Sequence, residues 1–332
     1  MNSNSEIYSK YIKYKNKYIN LKNKINIQQT GGSALASSDS DASDTSLATG
    51  ISELIDAKTF FGLTTFDETK YIPIKTRYTF NGKDIHLFNI ELNKDEDKPV
   101  LFMLAGVSEK SFKKSSKILL EKLDVLTNKF KNIYLIQYSS FGDDQIHACQ
   151  LRDKLDESNK LDKTKDDIYK PELDIYKPEL DMNSEIADNV HNIVTSLGLT
   201  DVHLLGKCNG AWITILLLLK STRYIALYLA VPGIPLSVEI LETIPEDRLK
   251  TIKFIFGWTR QDGFVFNWKN AETNIPIKSY QEKDRYDKII TKIKEKMKIE
   301  LRYESFMYDN GGPEDDKLNH EIDPRMIDEI SK

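Results

Sequence analysis

The stretch Val202-His203-Leu204-Leu205-Gly206-Lys207-Cys208-Asn209-Gly210-Ala211-Trp212 sets a nucleophile-type residue between two glycines, directly after an apolar strand and directly before an apolar helix. That order marks a tight strand-to-helix turn with Cys208 at its tip. Gly206 and Gly210 flank it because side chains at those positions would collide with the folded-back chain. The thiol then points out of the sheet. The helix that follows aims its unpaired N–H groups and positive dipole end at the sulfur, which favours thiolate and offers the Asn209 N–H to a developing oxyanion. A small core cysteine is the plainer alternative, and the paired glycines argue against it.

Working outward, the flanking pattern alternates strands with amphipathic helices. Tyr71 to Phe80 and Asp84 to Leu92 form a hairpin around Asn81-Gly82, a strong turn signal for antiparallel strands. Pro99 to Ala105 is a continuous apolar run suited to a strand covered on both faces; a helix to about Asn128 and a second such strand, Asn132 to Tyr138, follow. The helix Asn183 to Leu197, strand Asp201 to Leu205, helix Ala211 to Ser221 and strand Tyr224 to Val231 continue the alternation. Strands Thr251 to Gly257 and Ile299 to Phe306 flank a charged helix, Gln281 to Met297, and a short helix from Pro324 closes the chain. This order predicts an α/β fold with a doubly wound, mostly parallel sheet.

A thiol nucleophile needs a base, and the base needs an orienting group. His86 and His203 alternate within strands, His191 lies in a helix and His147 sits near a charged insertion. His320 alone stands in a polar loop after the last strand, just before Asp323-Pro324, which has the form of a helix N-cap with proline in the first turn. For the carboxylate, Asp262 follows the strand ending at Gly257, while Asp309 and Asp316 remain alternatives. These loops leave the carboxyl ends of their strands, where open α/β sheets place their sites. A second oxyanion donor is expected from Ala105-Gly106-Val107-Ser108, with the Val107 N–H as the candidate. Lys207 is read as a solvated neighbour of the thiol, and Trp212, Trp258 and Trp268 as packing.

With these residues in place, positions 99 to 330 resemble the α/β-hydrolase superfamily. Val190 to Trp212 is similar to that family's helix, strand and elbow, and Asn319-His320-Glu321-Ile322 with Pro324 to Ile330 resembles its histidine loop and closing helix. The order nucleophile, acid, histidine is the family's own. Two departures stand out. Cys208 occupies the usual serine position, as in dienelactone-hydrolase-like members, and Lys207 replaces the usual preceding histidine. The resemblance implies hydrolysis of an ester, thioester or lactone through a Cys208-His320-Asp262 triad and an acyl-enzyme. The alternative is an inactive binding or virion-associated protein that keeps the fold.

The rest of the chain is organised around this domain, 51–332. Residues 1–30 read as a basic amphipathic helix with Ile7, Tyr11, Tyr14, Tyr18, Leu21 and Ile25 on one stripe, suited to docking on a protein partner. Residues 31–50 are small and polar, a disordered linker. Tyr11 to Leu21 followed by Gly31-Gly32 also resembles an N-terminal segment of mimivirus-like giant-virus proteins, which implies host cytoplasm and virion association. Between about 142 and 182 lies a charged insertion that holds Ile-Tyr-Lys-Pro-Glu-Leu-Asp twice in tandem, where Pro171 and Pro178 oppose a continuous helix.

Composition narrows the classes. With 332 residues, 40% of them hydrophobic, the chain can bury a large core. A formal net charge of -4 gives the main domain no field for nucleic acid. Only lysine-rich residues 1–30 would bind it, with a steep salt dependence. The two cysteines, Cys149 and Cys208, have no CxxC or Cys/His ligand spacing, so neither a disulfide framework nor a structural zinc is expected and a reducing, intracellular setting fits; the acyl-transfer reading implies no metal or organic cofactor. No membrane-spanning run is seen.

Overall fold

The computed structural model describes residues 50–95, 97–106, 108–138, 173–232, 241, 243–260, 279–308 and 320–332. The expected N-terminal helix, all of the expected linker except Gly50, the first copy of the heptapeptide up to Glu172, Val107 and Asp262 therefore lie outside the described residues.

Nine strands form one sheet in the order β1-β2-β3-β5-β4-β6-β7-β8-β9. They span Gly50–Leu54 (β1), Ile74–Phe80 (β2), Lys83–Glu91 (β3), Val100–Leu104 (β4), Asn132–Gln137 (β5), Val202–Lys207 (β6), Tyr224–Ala230 (β7), Lys253–Thr259 (β8) and Arg302–Tyr308 (β9). The first three strands run antiparallel up to the β3/β5 pairing. From β5 across to β9 every pairing is parallel. The expected doubly wound, mostly parallel sheet is thus the fold observed. The hairpin turns where the sequence said it would, with Asn81 and Gly82 both at positive φ, the pair of left-handed residues a two-residue turn requires.

Helices cover both faces. On one side lie α1 (Ala57–Phe61), α2 (Glu109–Leu120), α3 (Leu123–Leu126) and α8 (Pro324–Ser331). On the other lie α4 (Leu173–Ser196), α5 (Asn209–Lys220) and α7 (Ser279–Met297), while α6 (Glu246–Thr251) leads into β8. Central strands sandwiched in this way need apolar residues on both faces, and all five residues of β4 and all six of β6 are buried. In β6 the alternation still sorts them: Val202 and Leu204 join the core under α4 and α5, and Leu205 joins the core under α2 and α8.

Several boundaries differ from expectation. Gly50, assigned to the linker, opens β1, whose pairing with β2 no local pattern announces. The single helix expected to run to Asn128 is two, α2 and α3, separated at Glu121-Lys122. The helix expected from Asn183 begins at Leu173, so the second heptapeptide copy is helical and the helix runs through Pro178, against the expectation drawn from that proline. Proline removes one backbone donor and crowds the carbonyl four residues earlier, at a cost of about 3 kcal/mol. The C-terminal half of α4, with Ile186, Val190, Ile193 and Val194 buried in the core, offsets that cost.

Candidate active site

The chain order of the sheet creates the site. From β4 the chain crosses through α2 on one face to β5, and from β6 it crosses through α5 on the opposite face to β7. Since β4 and β6 are neighbours, with Leu104 paired to Gly206, their connections diverge at the carboxyl ends of the two strands, the edge where open α/β sheets place their sites. Cys208 sits at that switch point.

The elbow is as tight as the glycine spacing predicted. Cys208 takes φ 55 and ψ -123, a region where a side chain costs on the order of 1–3 kcal/mol. A Cβ at Gly210 would come within 2.5 Å of the Leu104 carbonyl carbon and 2.6 Å of the Ala105 oxygen, with the Leu104 oxygen closer still. At Gly206 it would meet the Ala211 Cα at 2.5 Å and the Gly210 oxygen at 2.7 Å. Both glycines therefore serve the close approach of α5 to its own strand and to β4. Cys208 is a free, half-buried thiol at the N-terminus of α5, a 12-residue helix.

His320, just before the N-cap Asp323 of α8, stands close enough to Cys208 for its imidazole to act on the thiol. Burial pushes the thiol pKa up, but the His320 imidazole, the Lys207 charge and the Asn209 N–H together outweigh it, and the net shift is downward. The structure thus brings Cys208, His320 and Asn209 together. Asp323 accepts from the Arg325 N–H at 2.8 Å and is ion-paired to the Arg325 guanidinium at 2.7 Å, so the expected proline-first helix start is present and holds the loop that carries His320.

Asn209 is fixed from the far side. Its amide and that of Asn183 on α4 exchange hydrogen bonds of 3.1 and 3.0 Å, both buried. Tyr138, fully buried after β5, lies beside the Asn209 side chain and donates to the Ala105 carbonyl, linking the elbow to the loop where the second oxyanion donor is expected. Gly106 keeps that loop near the thiol: a Cβ there would lie 3.7 Å from the Cys208 Cβ and 2.9 Å from Ser111 Oγ.

Lys207 corrects the sequence reading. It is not a solvated neighbour but 3% exposed, donating to Ser111 Oγ at 3.1 Å and ion-paired with Glu321 Oε2 at 3.4 Å. Its position in β6 gives it the parity of Leu205, which turns it under α2 and α8 and away from water. Asn183, Tyr138 and Glu321 were not singled out from sequence. Only Glu321, beside His320, stood in a motif that had been noticed. Among the described residues no group of histidine, cysteine and acidic side chains is arranged to hold a metal ion, and no helix is long and apolar enough to cross a membrane.

A mostly parallel sheet of this winding, with a strained elbow at the switch point and a histidine loop before the last helix, is an α/β fold of the α/β-hydrolase type. No protein-family profile matches the chain, and no curated protein matches it in sequence. Solved structures with a similar course include a predicted CIB-like hydrolase from Thermoplasma acidophilum, 13% identical with a TM-score of 0.44, covering 79% of this chain and 96% of that one. A poly(aspartic acid) hydrolase-1 from Sphingomonas sp. KT-1 is 10% identical with a TM-score of 0.45, covering 78% and 97%. The carboxylesterase CesB from Bacillus subtilis is 11% identical with a TM-score of 0.39, covering 82% and 92%.

Proposed function

We propose that the chain is a hydrolase that cleaves an ester, thioester or lactone through an acyl-enzyme on Cys208. The observation that carries this reading is a thiol held in strained backbone at a helix N-terminus with the His320 imidazole beside it. His320 takes the thiol proton and the sulfur attacks the substrate carbonyl carbon. The N–H groups of Asn209 and Val107 hold the oxyanion. As the tetrahedral adduct collapses, the carbon–oxygen or carbon–sulfur bond to the leaving group breaks and His320 returns the proton to it. Water then attacks the thioester with His320 as base, releasing the acid and restoring the thiol. Asp262 is assigned to orient the imidazole. None of these steps calls on a metal or organic cofactor.

A thiol nucleophile is consistent with a reducing, intracellular setting, host cytoplasm if the chain is viral, with residues 1–30 docking on a protein partner or the virion. The test is incubation of the full chain with small esters, thioesters and lactones, followed by intact mass and product release. An acyl adduct on Cys208 that decays as acid appears, and is absent in Cys208→Ala, is expected. No adduct and no hydrolysis above buffer across the panel, together with a thiol whose alkylation ignores His320→Ala, would sink the reading and favour a non-enzymatic binding or virion-associated protein.

A further inference from the structure

Beneath the reacting atoms, a polar cluster centred on the buried Lys207 joins the loops that build the site. Lys207 Nζ reaches Ser111 Oγ at 3.1 Å and Glu321 Oε2 at 3.4 Å. The same carboxylate oxygen accepts from Ser115 Oγ at 3.1 Å, and the other stands 3.6 Å from Lys114 Nζ. Each partner belongs to a different part of the site. Lys207 directly precedes Cys208, and Glu321 directly follows His320. Ser111 lies in the first turn of α2, packed against Gly106 in the loop that leads to Val107.

Stability alone gives no reason for this arrangement. An ammonium 3% exposed pays a heavy desolvation cost that its ion pair only offsets, and uncharged side chains in place of both partners would fill the space about as well. The side chain also spans the site at the level where base, thiol and oxyanion loop must keep one register. A misplacement of about 1 Å there costs on the order of 100-fold in rate.

We propose that Lys207 is a positioning residue, clamping the His320 loop through Glu321 and the Gly106 loop through Ser111 onto the Cys208 elbow. This rests on the hydrolase reading above, since a clamp matters only if the geometry is used. Among the described residues His320 and Lys207 act on the thiol by their charges, and the Lys207 charge adds to the pull toward thiolate. The clamp therefore acts on both the placement of the base and the ionisation of the nucleophile.

The test alkylates the full chain with iodoacetamide, a small neutral electrophile, across a pH series and reads Cys208 by intact mass, at a temperature well below the lowest melting point. Lys207→Met, Glu321→Gln and the double variant are compared with wild type and with His320→Ala. The double variant removes both charges, so neither is left buried alone. Expected is a double variant that melts close to wild type yet labels Cys208 about tenfold or more slowly at neutral pH, with its pH profile displaced upward. Labelling that recovers together with the melting temperature would show a merely structural pair and overturn the proposal. Slow wild-type labelling that ignores His320→Ala would overturn the hydrolase reading and the clamp with it. Fast, His320-dependent wild-type labelling with an unshifted Lys207→Met profile would overturn the clamp alone.

Discussion

Replacing Gly210 with alanine tests the elbow at its tightest point. The added Cβ would stand 2.5 Å from the Leu104 carbonyl carbon and 2.6 Å from the Ala105 oxygen. Those are backbone atoms of β4 and the chain leaving it, with no flexible side chain to move aside. Overpacking of a core costs about 1–3 kcal/mol, and a clash with fixed backbone belongs at the top of that range. Relief requires the first turn of α5 to lift from β4, carrying Cys208 and the Asn209 N–H with it. A displacement of about 1 Å is worth on the order of 100-fold in a rate that depends on alignment. Gly198→Ala is the control: Gly198 also has positive φ, at 63, but no atom lies within 4 Å of the added Cβ, so only the left-handed backbone penalty of about 1–2 kcal/mol applies. Urea unfolding of both variants measures the first effect and His320-dependent Cys208 labelling the second. A Gly210→Ala protein no less stable than Gly198→Ala, with wild-type labelling, would refute the close packing of elbow on β4.

Three other outcomes follow from particular contacts. Asn183→Ala leaves the buried Asn209 amide without its reciprocal partner and is expected to cost about 1–3 kcal/mol in denaturant unfolding; a loss near zero would contradict the pairing. His203, buried beside Tyr228 with Nδ1 2.6 Å from the hydroxyl, has its pKa lowered to about 3 by burial and by the charges of Lys129, Lys253 and Arg302. Its folded pKa lies below the unfolded value, so it supports stability above about pH 6.5, and that support is lost progressively toward pH 3, on the order of several kcal/mol. Equilibrium unfolding across that window should show a steeper acid loss in wild type than in His203→Gln, and parallel curves would contradict the assignment. Arg248→Met removes a guanidinium that donates to the Leu218 and Ser221 carbonyls at the end of α5, and should cost about 1–3 kcal/mol by the same unfolding assay.

The features legible in the sequence were those set by short-range patterns. Gly206 and Gly210 bracket Cys208 closely enough to define the elbow, Asn81-Gly82 dictates its own hairpin, and apolar runs such as Val100 to Leu104 identify buried strands without any partner in view. What was missed depends on contacts far along the chain. Gly50 to Leu54 has no pattern strong enough to mark a strand and becomes one only by pairing with Ile74 to Tyr78. Pro178 argues locally against a helix, and only the core packing of Ile186 to Val194 outweighs it. The burial of Lys207 follows from its parity in β6, but its counter-charge is Glu321, over a hundred residues away, and nothing near either residue announces the pair. Asn183 and Tyr138 touch Asn209 for the same reason, through elements brought together by the winding of the sheet.

The most direct measurement is the pH dependence of Cys208 thiolate formation, followed by ultraviolet absorbance against a Cys208→Ser blank, in wild type and His320→Ala. Burial acts to raise the thiol pKa and His320 to lower it. The predicted result is a wild-type midpoint below that of an ordinary thiol, shifted upward when the imidazole is removed. A wild-type midpoint at or above the ordinary thiol value, unmoved by His320→Ala, would contradict an activated nucleophile at this elbow.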